Sequence, residues 1–462
     1  MTQARLDSEI SDAASTRHAW YIVILLMCAF TLSMLDRMIL SLLIEPIQRD
    51  LRISDTEFGL LQGFAFVLIY SVAGLPIGWL VDRTSRKAIV ACGITLWSGM
   101  TMSSAFASNF AYLSIARMGV GIGEASLSPA AYSMMGDMFS REKLSRAVSI
   151  YLIGAMVGSG LAFLFGGAVV GILSGRPHII LPILGEMRMW QTAFLVAGAP
   201  GLLIAALMLT VCEPPRAAKR ASEGTPGTTI FRFLRERWRL LTLILFGITF
   251  QNLCLLAMMS WLPAMLMRKF DLAPGHVGLA LGLSAGVAGL SGYIMGSVFS
   301  ERWIRRGRLD ANMRVSMLAM ATALPLALVT TLSGNLVITL GFMFATFFAV
   351  CMPGATAWAG LQLVTPPLLR GQCTAMVNLP STAIAAGLGP LLVALFTDYI
   401  FARKSAVDLS LAFVMAIFLP LSAICYNRAM ARFAETVYFE GGGATPPGVA
   451  EESPSAPLPT SA

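Results

Sequence analysis

Apolar runs about twenty residues long recur along almost the whole chain, separated by short polar loops. A helix needs roughly 20 such residues to cross ~30 Å of hydrocarbon, and in lipid its backbone groups must be satisfied within the segment. The runs therefore read as twelve transmembrane helices, over 19–44, 57–81, 88–107, 110–136, 144–172, 190–212, 240–267, 275–300, 313–333, 336–362, 371–398 and 408–430. The balance of 56% hydrophobic against 13% charged residues excludes an ordinary soluble domain. An all-α membrane protein is the expected fold class.

The first eighteen residues are polar and lack the basic, then apolar, pattern of a cleavable signal peptide. Lys and Arg crowd the loops on the side of the N-terminus: Arg83, Arg86 and Lys87, then Arg141, Lys143 and Arg146, then the stretch from Arg216 to Arg239. The other side holds only Arg49, Arg52, Arg176, Arg188, Arg268, Lys269, Arg403 and Lys404. Positively charged short loops stay cytoplasmic, so both termini are expected in the cytoplasm of a multi-pass protein of the cell membrane, of bacterial inner-membrane type. The net charge of +8 is then a topology signal, and no basic soluble module exists to contact nucleic acid.

Six spans, a polar stretch and six more spans give the expected layout: a tail over 1–18, a six-helix bundle over 19–212, a cytoplasmic linker over 213–239, a second bundle over 240–433 and a disordered tail over 434–462. GWLVDRTSRK (78–87) after the second span and GSVFSERWIRR (296–306) after the eighth occupy equivalent places in the two halves. Within the linker, IFRFLRERWRLL alternates aromatic and basic residues, as an amphipathic helix on the cytoplasmic leaflet would. The tail is too poor in large apolar residues to bury a core. Cys28, Cys92, Cys212, Cys254, Cys351, Cys373 and Cys425 have no paired spacing, so neither a disulfide nor a metal site is expected, and no cofactor.

Charges inside the spans demand an explanation, because each costs roughly 2.5–3.5 kcal/mol near the bilayer centre on an insertion scale. Asp36 and Arg37 sit side by side in the first span, and Arg117 and Glu124 lie seven apart in the fourth, nearly on one helix face. Two acids and two bases sum to zero, which makes them tolerable together, and protonating one acid would leave an arginine without its counter-charge. A bland alternative is that the four merely pin one helix to another. Gly121 and Gly123, and Gly154, Gly158 and Gly160, offer small faces for close helix packing.

GWLVDRTSRK resembles the signature G-x-L-x-D-R-x-G-R-K/R of the Major Facilitator Superfamily through Gly78, Leu80, Asp82, Arg83, Arg86 and Lys87, with Ser85 in place of the usual glycine. RMGVGIGEA (117–125) and CEPPR (212–216) resemble two further motifs of that superfamily. Within it, LDR in span 1, RMGVGIGEASLSPAAYSMMGDMF in span 4 and MVGSGLAF (156–163) in span 5 resemble the Spinster family. The resemblance implies the major facilitator fold of two pseudo-symmetric six-helix bundles, alternating access, and an amphipathic lipid cargo of lysophospholipid or sphingoid-phosphate type. Anion:cation symporters share the helix-1 DR and helix-4 GEA, so a sugar-acid symporter stays open, as does a hydrophobic-drug exporter.

The resemblance also puts spans 1 and 4 at the central cavity. On that basis Asp36 takes the coupling proton with Arg117 stabilising its ionised form, while Arg37 and Glu124 meet the cargo's polar head. Gly78, Asp82, Arg83, Arg86 and Lys87 form a cytoplasmic gate. The second half carries no ionisable residue deep in a span; Gln251, Asn252, Met258, Met259 and Trp261 in span 7, Trp358 and Gln362 in span 10, and Asn378 and Thr382 in span 11 are its cavity candidates. Of these, Asn252, Met259, Trp358 and Asn378 are taken as substrate contacts, a wall better suited to an acyl chain than to a sugar. The methionines could equally face lipid or the core. No phosphate-binding G-x-x-x-x-G-K-[ST] loop occurs, which disfavours ATP-driven transport, and no nucleophile–base set or metal cluster points to an enzyme. A monomer whose partners are protons, membrane lipids and its small-molecule cargo is expected.

Overall fold

The computed structural model describes residues 2–81, 83–139, 141–174, 178–181, 185–213, 230–366 and 369–436, with side chains described for most residues from 17 onward. In the first half α1 (Thr2–Leu42) is followed by the short α2 (Ile44–Leu51). The second span is α3 (Asp55–Gly59), a π-helical turn at Leu60–Phe64 and α4 (Ala65–Val81). Then come α5 (Arg86–Ser104), α6 (Phe110–Glu124), α7 (Leu127–Met138), α8 (Arg141–Ser174) and, after a hairpin, α9 (Met189–Leu209).

The second half repeats the plan with α10 (Ile230–Phe270), then α11 (Pro274–Leu283), a π turn at Ser284–Ala288 and α12 (Gly289–Arg305). It continues with α13 (Ala311–Leu332), α14 (Leu336–Cys351), α15 (Pro353–Val364), α16 (Arg370–Leu395) and α17 (Val407–Ala434). Among the described residues ten helical stretches are long and apolar enough to cross a membrane; α5 and the broken pair α6–α7 bring the number to twelve. Both halves thus carry a π turn in their second span, each ahead of a 17-residue helix. Such turns insert a residue into the helical ladder and are common at functional crossings.

Two features differ from the hydropathy reading. Span 4 is broken at Ala125–Ser126, where the Ser126 hydroxyl donates to the Gly123 carbonyl at 2.7 Å. Between α8 and α9, strands β1 (His178–Leu181) and β2 (Gly185–Arg188) pair antiparallel, with Gly185 at φ 73° opening the second strand. A four-residue strand carries too little periodicity to be seen beside twenty-residue apolar runs. The residues IFRFLRERWR are the opening turns of α10, continuous with the seventh span. The remainder of the predicted linker over 214–229, and 437–462 of the predicted tail, lie outside the described residues.

The two halves share one core, and among the described residues the first half has a second core of its own, against which Ala383 and Ala386 of the second half pack. One apolar core joins them through Ile44, Ile47, Phe58 and Phe163 to Trp261, Met265, Leu281 and Val393 at the end opposite the termini, and runs on within the second half to Phe233, Leu240 and Phe433. Nearer the termini, a second core has buried members from the first half only, among them Ile22, Leu26, Ile94, Trp97, Met134 and Tyr151. Glycines set the fused seams. A Cβ on Gly160 would lie 2.9 Å from the Gly286 Cα, one on Gly167 2.7 Å from the Gly278 Cα, and one on Gly59 2.9 Å from the Ala394 Cβ. At Gly63 a Cβ would lie 2.7 Å from the Ala386 carbonyl oxygen, an acceptor whose helical donor is lost to Pro390 four residues on. Backbones approach there only because no side chain intervenes.

Candidate functional site

Asp36 and Arg37 lie in the last turns of α1, and α6 presents Arg117 two turns before Glu124. The three glycines of RMGVGIGE press α6 onto its neighbours: a Cβ on Gly119 would strike Met100, one on Gly121 the Phe66 carbonyl and one on Gly123 the Gly93 carbonyl and Trp97. On α8, Gly154 and Gly158 seat that helix against Met27 and Thr31 of α1. Small residues therefore fix the helices whose charges must meet.

The four charges form an open arrangement and no closed square. Arg37 and Glu124 are a true ion pair, with Nε at 2.7 Å and Nη2 at 2.5 Å from the same oxygen, Oε2. Arg37 keeps 25% of its side chain exposed while Glu124 keeps 1%. The guanidinium also lies 4.5 Å from the ring centre of Phe66 and 5.4 Å from that of Tyr70, two cation–π contacts. Asp36 is only 3% exposed, and its carboxylate accepts a hydrogen bond from the Thr101 hydroxyl of α5. Arg117, 2% exposed, donates from Nη2 to the Asp36 backbone carbonyl at 3.4 Å.

Four polar atoms of this group are buried without a hydrogen-bond partner among the described residues: Asp36 Oδ1, Glu124 Oε1, and Arg117 Nε and Nη1. Buried charges normally exhaust their partners, since an unmet one costs about 1–3 kcal/mol or more. A set left partly unmet can exchange a proton or accept a ligand group without first breaking a full shell of bonds.

The predicted wall in the second half divides in two. On α10, Asn252, Leu255, Leu256 and Met259 form a half-buried stripe at helical spacing. Gln251 is turned the other way, donating to the Val350 carbonyl at 3.0 Å and accepting from the Tyr426 hydroxyl at 3.5 Å, so it ties the second half together and is no cavity wall. Met258 and Trp261 are core residues too, the indole donating to the Pro390 carbonyl at 2.8 Å. Gln362 donates to the Thr374 hydroxyl at 2.6 Å, Trp358 is half-buried against the core, and Asn378 is exposed, accepting from Thr382 at 3.3 Å. No hydrogen bond or ion pair among the described residues links this wall to the four charges.

At the predicted gate, Ser85 has φ −62° and N-caps α5 by accepting from the Ala88 amide, so the position needs no glycine. Its hydroxyl donates to Glu213, which also accepts from the Arg86 amide at 2.6 Å. The Arg86 side chain is buried, bonded to Asp137 and to the Ser133 carbonyl. Lys87 donates to the Val211 carbonyl at 3.0 Å, and Arg83 stacks 4.0 Å from the ring centre of Trp79. These partners all belong to the first half. A Cβ on Gly78 would meet nothing within 4 Å, and Asp82 lies outside the described residues.

The opposite end holds a cluster that sequence reading counted only as loop charges. Arg268 at the end of α10 reaches into the first half, with Nη1 and Nη2 each 2.8 Å from one oxygen of Asp55, Nε 2.6 Å from Glu45 and Nη2 3.0 Å from Gln48. Asp55 is fully buried and accepts a further bond from Gln48 at 2.6 Å. Asp398 adds a second bridge, accepting at 2.6 Å from both the amide and the hydroxyl of Thr56 at the start of α3. Three acids in the loop after span 1 facing a basic pair after span 7 were the available signal.

Residues 26–390 match the sequence model of the Major Facilitator Superfamily. The chain belongs to that superfamily. Among its relatives, an MFS-type efflux pump of Mycolicibacterium smegmatis is 27% identical over 445 residues, covering 95% of this chain and 99% of the pump. Protein spinster homolog 3 of Homo sapiens is 29% identical over 412 residues, 83% of this chain and 76% of that protein. A crystal structure of a bacterial homologue of the human lysosomal transporter Spinster, inward-facing and occupied, superposes with a TM-score of 0.78 at 22% identity, covering 91% of this chain and 98% of that one. A D-xylose–proton symporter superposes at 0.59 with 15% identity, over 87% and 98% of the chains. At these identities the superpositions establish the fold alone. Within the superfamily, the chain is similar to proteins named Spinster and to an efflux pump.

Proposed function

We propose that this transporter is a proton-coupled, alternating-access carrier of an amphipathic lipid of the lysophospholipid or sphingoid-phosphate type. It works as a monomer in the cell membrane, with both termini in the cytoplasm. The observation that carries the reading is Asp36: a buried carboxylate with one oxygen held by Thr101 and the other unpartnered, beside an arginine with two unpartnered nitrogens. Protonation there removes the charge that balances Arg117 and biases the two halves toward a different packing. A proton crossing 100 mV contributes about 2.3 kcal/mol to such a cycle.

Arg37 and Glu124 offer a zwitterion-matching pair for the head group, and the Asn252–Met259 stripe supplies an apolar track with one polar position for the chain. The gate at Arg83, Arg86 and Lys87 acts in the complementary state, when the cytoplasmic ends of the halves close. Similarity to a protein named an efflux pump over nearly its whole length supports a second reading, export of a hydrophobic drug by the same proton step.

Proteoliposomes with a trapped pH dye test the proposal. Lysophospholipid is expected to provoke proton movement in the wild type and none in Asp36→Asn, while sugar acids provoke none. Equal movement in the variant removes Asp36 from coupling, and movement provoked by sugar acids or by apolar cations replaces the lipid with those cargoes.

A further inference from the structure

At the end that bears the termini, α10 starts well before its apolar run. Phe233 and Leu240 turn into the core, while Arg232, Arg235, Glu236, Trp238 and Arg239 face outward. Beside them α17 ends with Arg428, Arg432 and Glu435 exposed. Between the two helices lies a cleft of about 350 Å³, lined among others by Arg235, Glu236, Arg237, Arg239, Arg432 and Glu435, with Trp238 beside them.

The charges of this cleft do not cancel. Glu236 is engaged by Arg232 at 2.9 Å, one helical turn away. Arg235, Arg237 and Arg432 make no ion pair among the described residues, and the Arg239 guanidinium sits 5.4 Å from the ring centre of Trp238. Four guanidinium groups therefore face the single uncommitted carboxylate of Glu435. The equivalent place in the first half, between α1 and α9, is closed by the protein's own groups. His18 accepts there from the Cys212 amide at 3.1 Å, and the Tyr21 and Thr210 hydroxyls lie 2.9 Å apart.

Both walls change character toward the membrane interior. Along α10 the stripe Arg235, Arg239, Phe246 passes from basic to exposed apolar, and along α17 Arg432, Arg428, Ile424, Leu421 does the same. Trp238, 57% exposed, stands at the junction, where an amphipathic ring belongs at a membrane interface. A free phosphate would use the arginine forks but not the apolar continuation; a phospholipid uses both.

We infer that this cleft binds the phosphate of an anionic diacyl phospholipid from the leaflet at the terminus-bearing end, its acyl chains lying along Phe246, Ile424 and Leu421. The bound lipid ties the first and last helices of the second half together at the surface, away from the transport site.

The test uses the full chain, with phosphatidylglycerol binding measured by native mass spectrometry against phosphatidylcholine, and soluble glycerol phosphate as a separate arm. Arg235→Gln/Arg237→Gln/Arg432→Gln is expected to weaken phosphatidylglycerol binding at least tenfold, since each basic group near an anionic surface is worth roughly fivefold. Arg305→Gln/Arg306→Gln/Arg308→Gln, at the same end but outside the cleft, is expected to bind as the wild type. The melting midpoint without added lipid reports folding of each variant separately, and arginine-to-lysine versions are expected to recover part of the binding. Equal weakening in both triple variants overturns the site in favour of diffuse surface charge. Phosphatidylcholine bound as tightly as phosphatidylglycerol overturns the charge recognition, and glycerol phosphate bound as tightly overturns the lipid in favour of a free anion.

Discussion

Replacing Arg268 with glutamine removes the guanidinium that joins the halves at the end opposite the termini. Arg268 is 8% exposed and its main partner Asp55 has no exposed side-chain surface, so the substitution leaves a buried carboxylate with only its bond from Gln48. Removing one member of a buried pair costs about 3–5 kcal/mol. Glu45, 42% exposed, adds no more than ~1 kcal/mol, and the Asp398–Thr56 bridge stays intact. At 1.4 kcal/mol per factor of ten, the closed arrangement of this end should lose roughly two to three and a half powers of ten in population relative to an open one in which Asp55 is hydrated. Spin labels at the exposed positions Arg49 and Ser405, in a chain with its native cysteines replaced, would read the separation of the halves by electron–electron resonance. A new long-distance population is expected in Arg268→Gln. Replacing both charges, Arg268→Met with Asp55→Leu, should restore much of the short one, because no uncompensated charge remains. Unchanged distances in the single variant would refute the claim that this cluster holds the end closed.

Gly278→Ala should push the same equilibrium by sterics alone: its Cβ would lie 2.4 Å from the Phe163 carbonyl oxygen and 2.5 Å from the Gly167 Cα, an overpacking worth about 1–3 kcal/mol that the same labels would report. Burial pushes the Glu213 carboxyl up, but hydrogen bonds from the Ser85 hydroxyl and from the Arg86 amide and guanidinium outweigh it and hold the group below the ordinary carboxylate range. With a lowered folded value, its contribution is complete above that range and fades as pH falls through it. Glu213→Gln should therefore cost about 1.5–3 kcal/mol at neutral pH, and its melting midpoint should approach that of the wild type in acid. An equal gap at both pH values would contradict that assignment. Gln251→Leu should lower thermal stability without changing cargo binding, whereas Asn252→Leu, one residue away on the half-buried stripe, should change binding with little loss of stability; reversed effects would exchange their roles.

How much of this was legible beforehand depends on the range of the physics involved. Span count, the two-half plan and the suspicion attached to Asp36, Arg37, Arg117 and Glu124 follow from the cost of placing polar groups in hydrocarbon, which acts on each segment separately and so is written along the chain. The role of Ser85 as an N-cap is equally local, and only the expectation of a glycine obscured it. Which acid meets which base is not local. Arg37 chooses Glu124, and Asp36 is held by Thr101 from α5, because the glycine seams of α6 and α8 fix how far each helix lies from its neighbour.

The sequence by itself determined a twelve-span, two-half membrane protein with charges in spans 1 and 4, because hydrophobic length and charge burial are properties of single segments. Tertiary structure alone decided that Arg268 reaches Asp55 across more than two hundred positions of chain, that Gln251 faces inward while Asn252 does not, and that one apolar core joins the two halves at the end opposite the termini. Those outcomes depend on helix rotation and inter-helix distance, which are set by packing against partners that no single span contains.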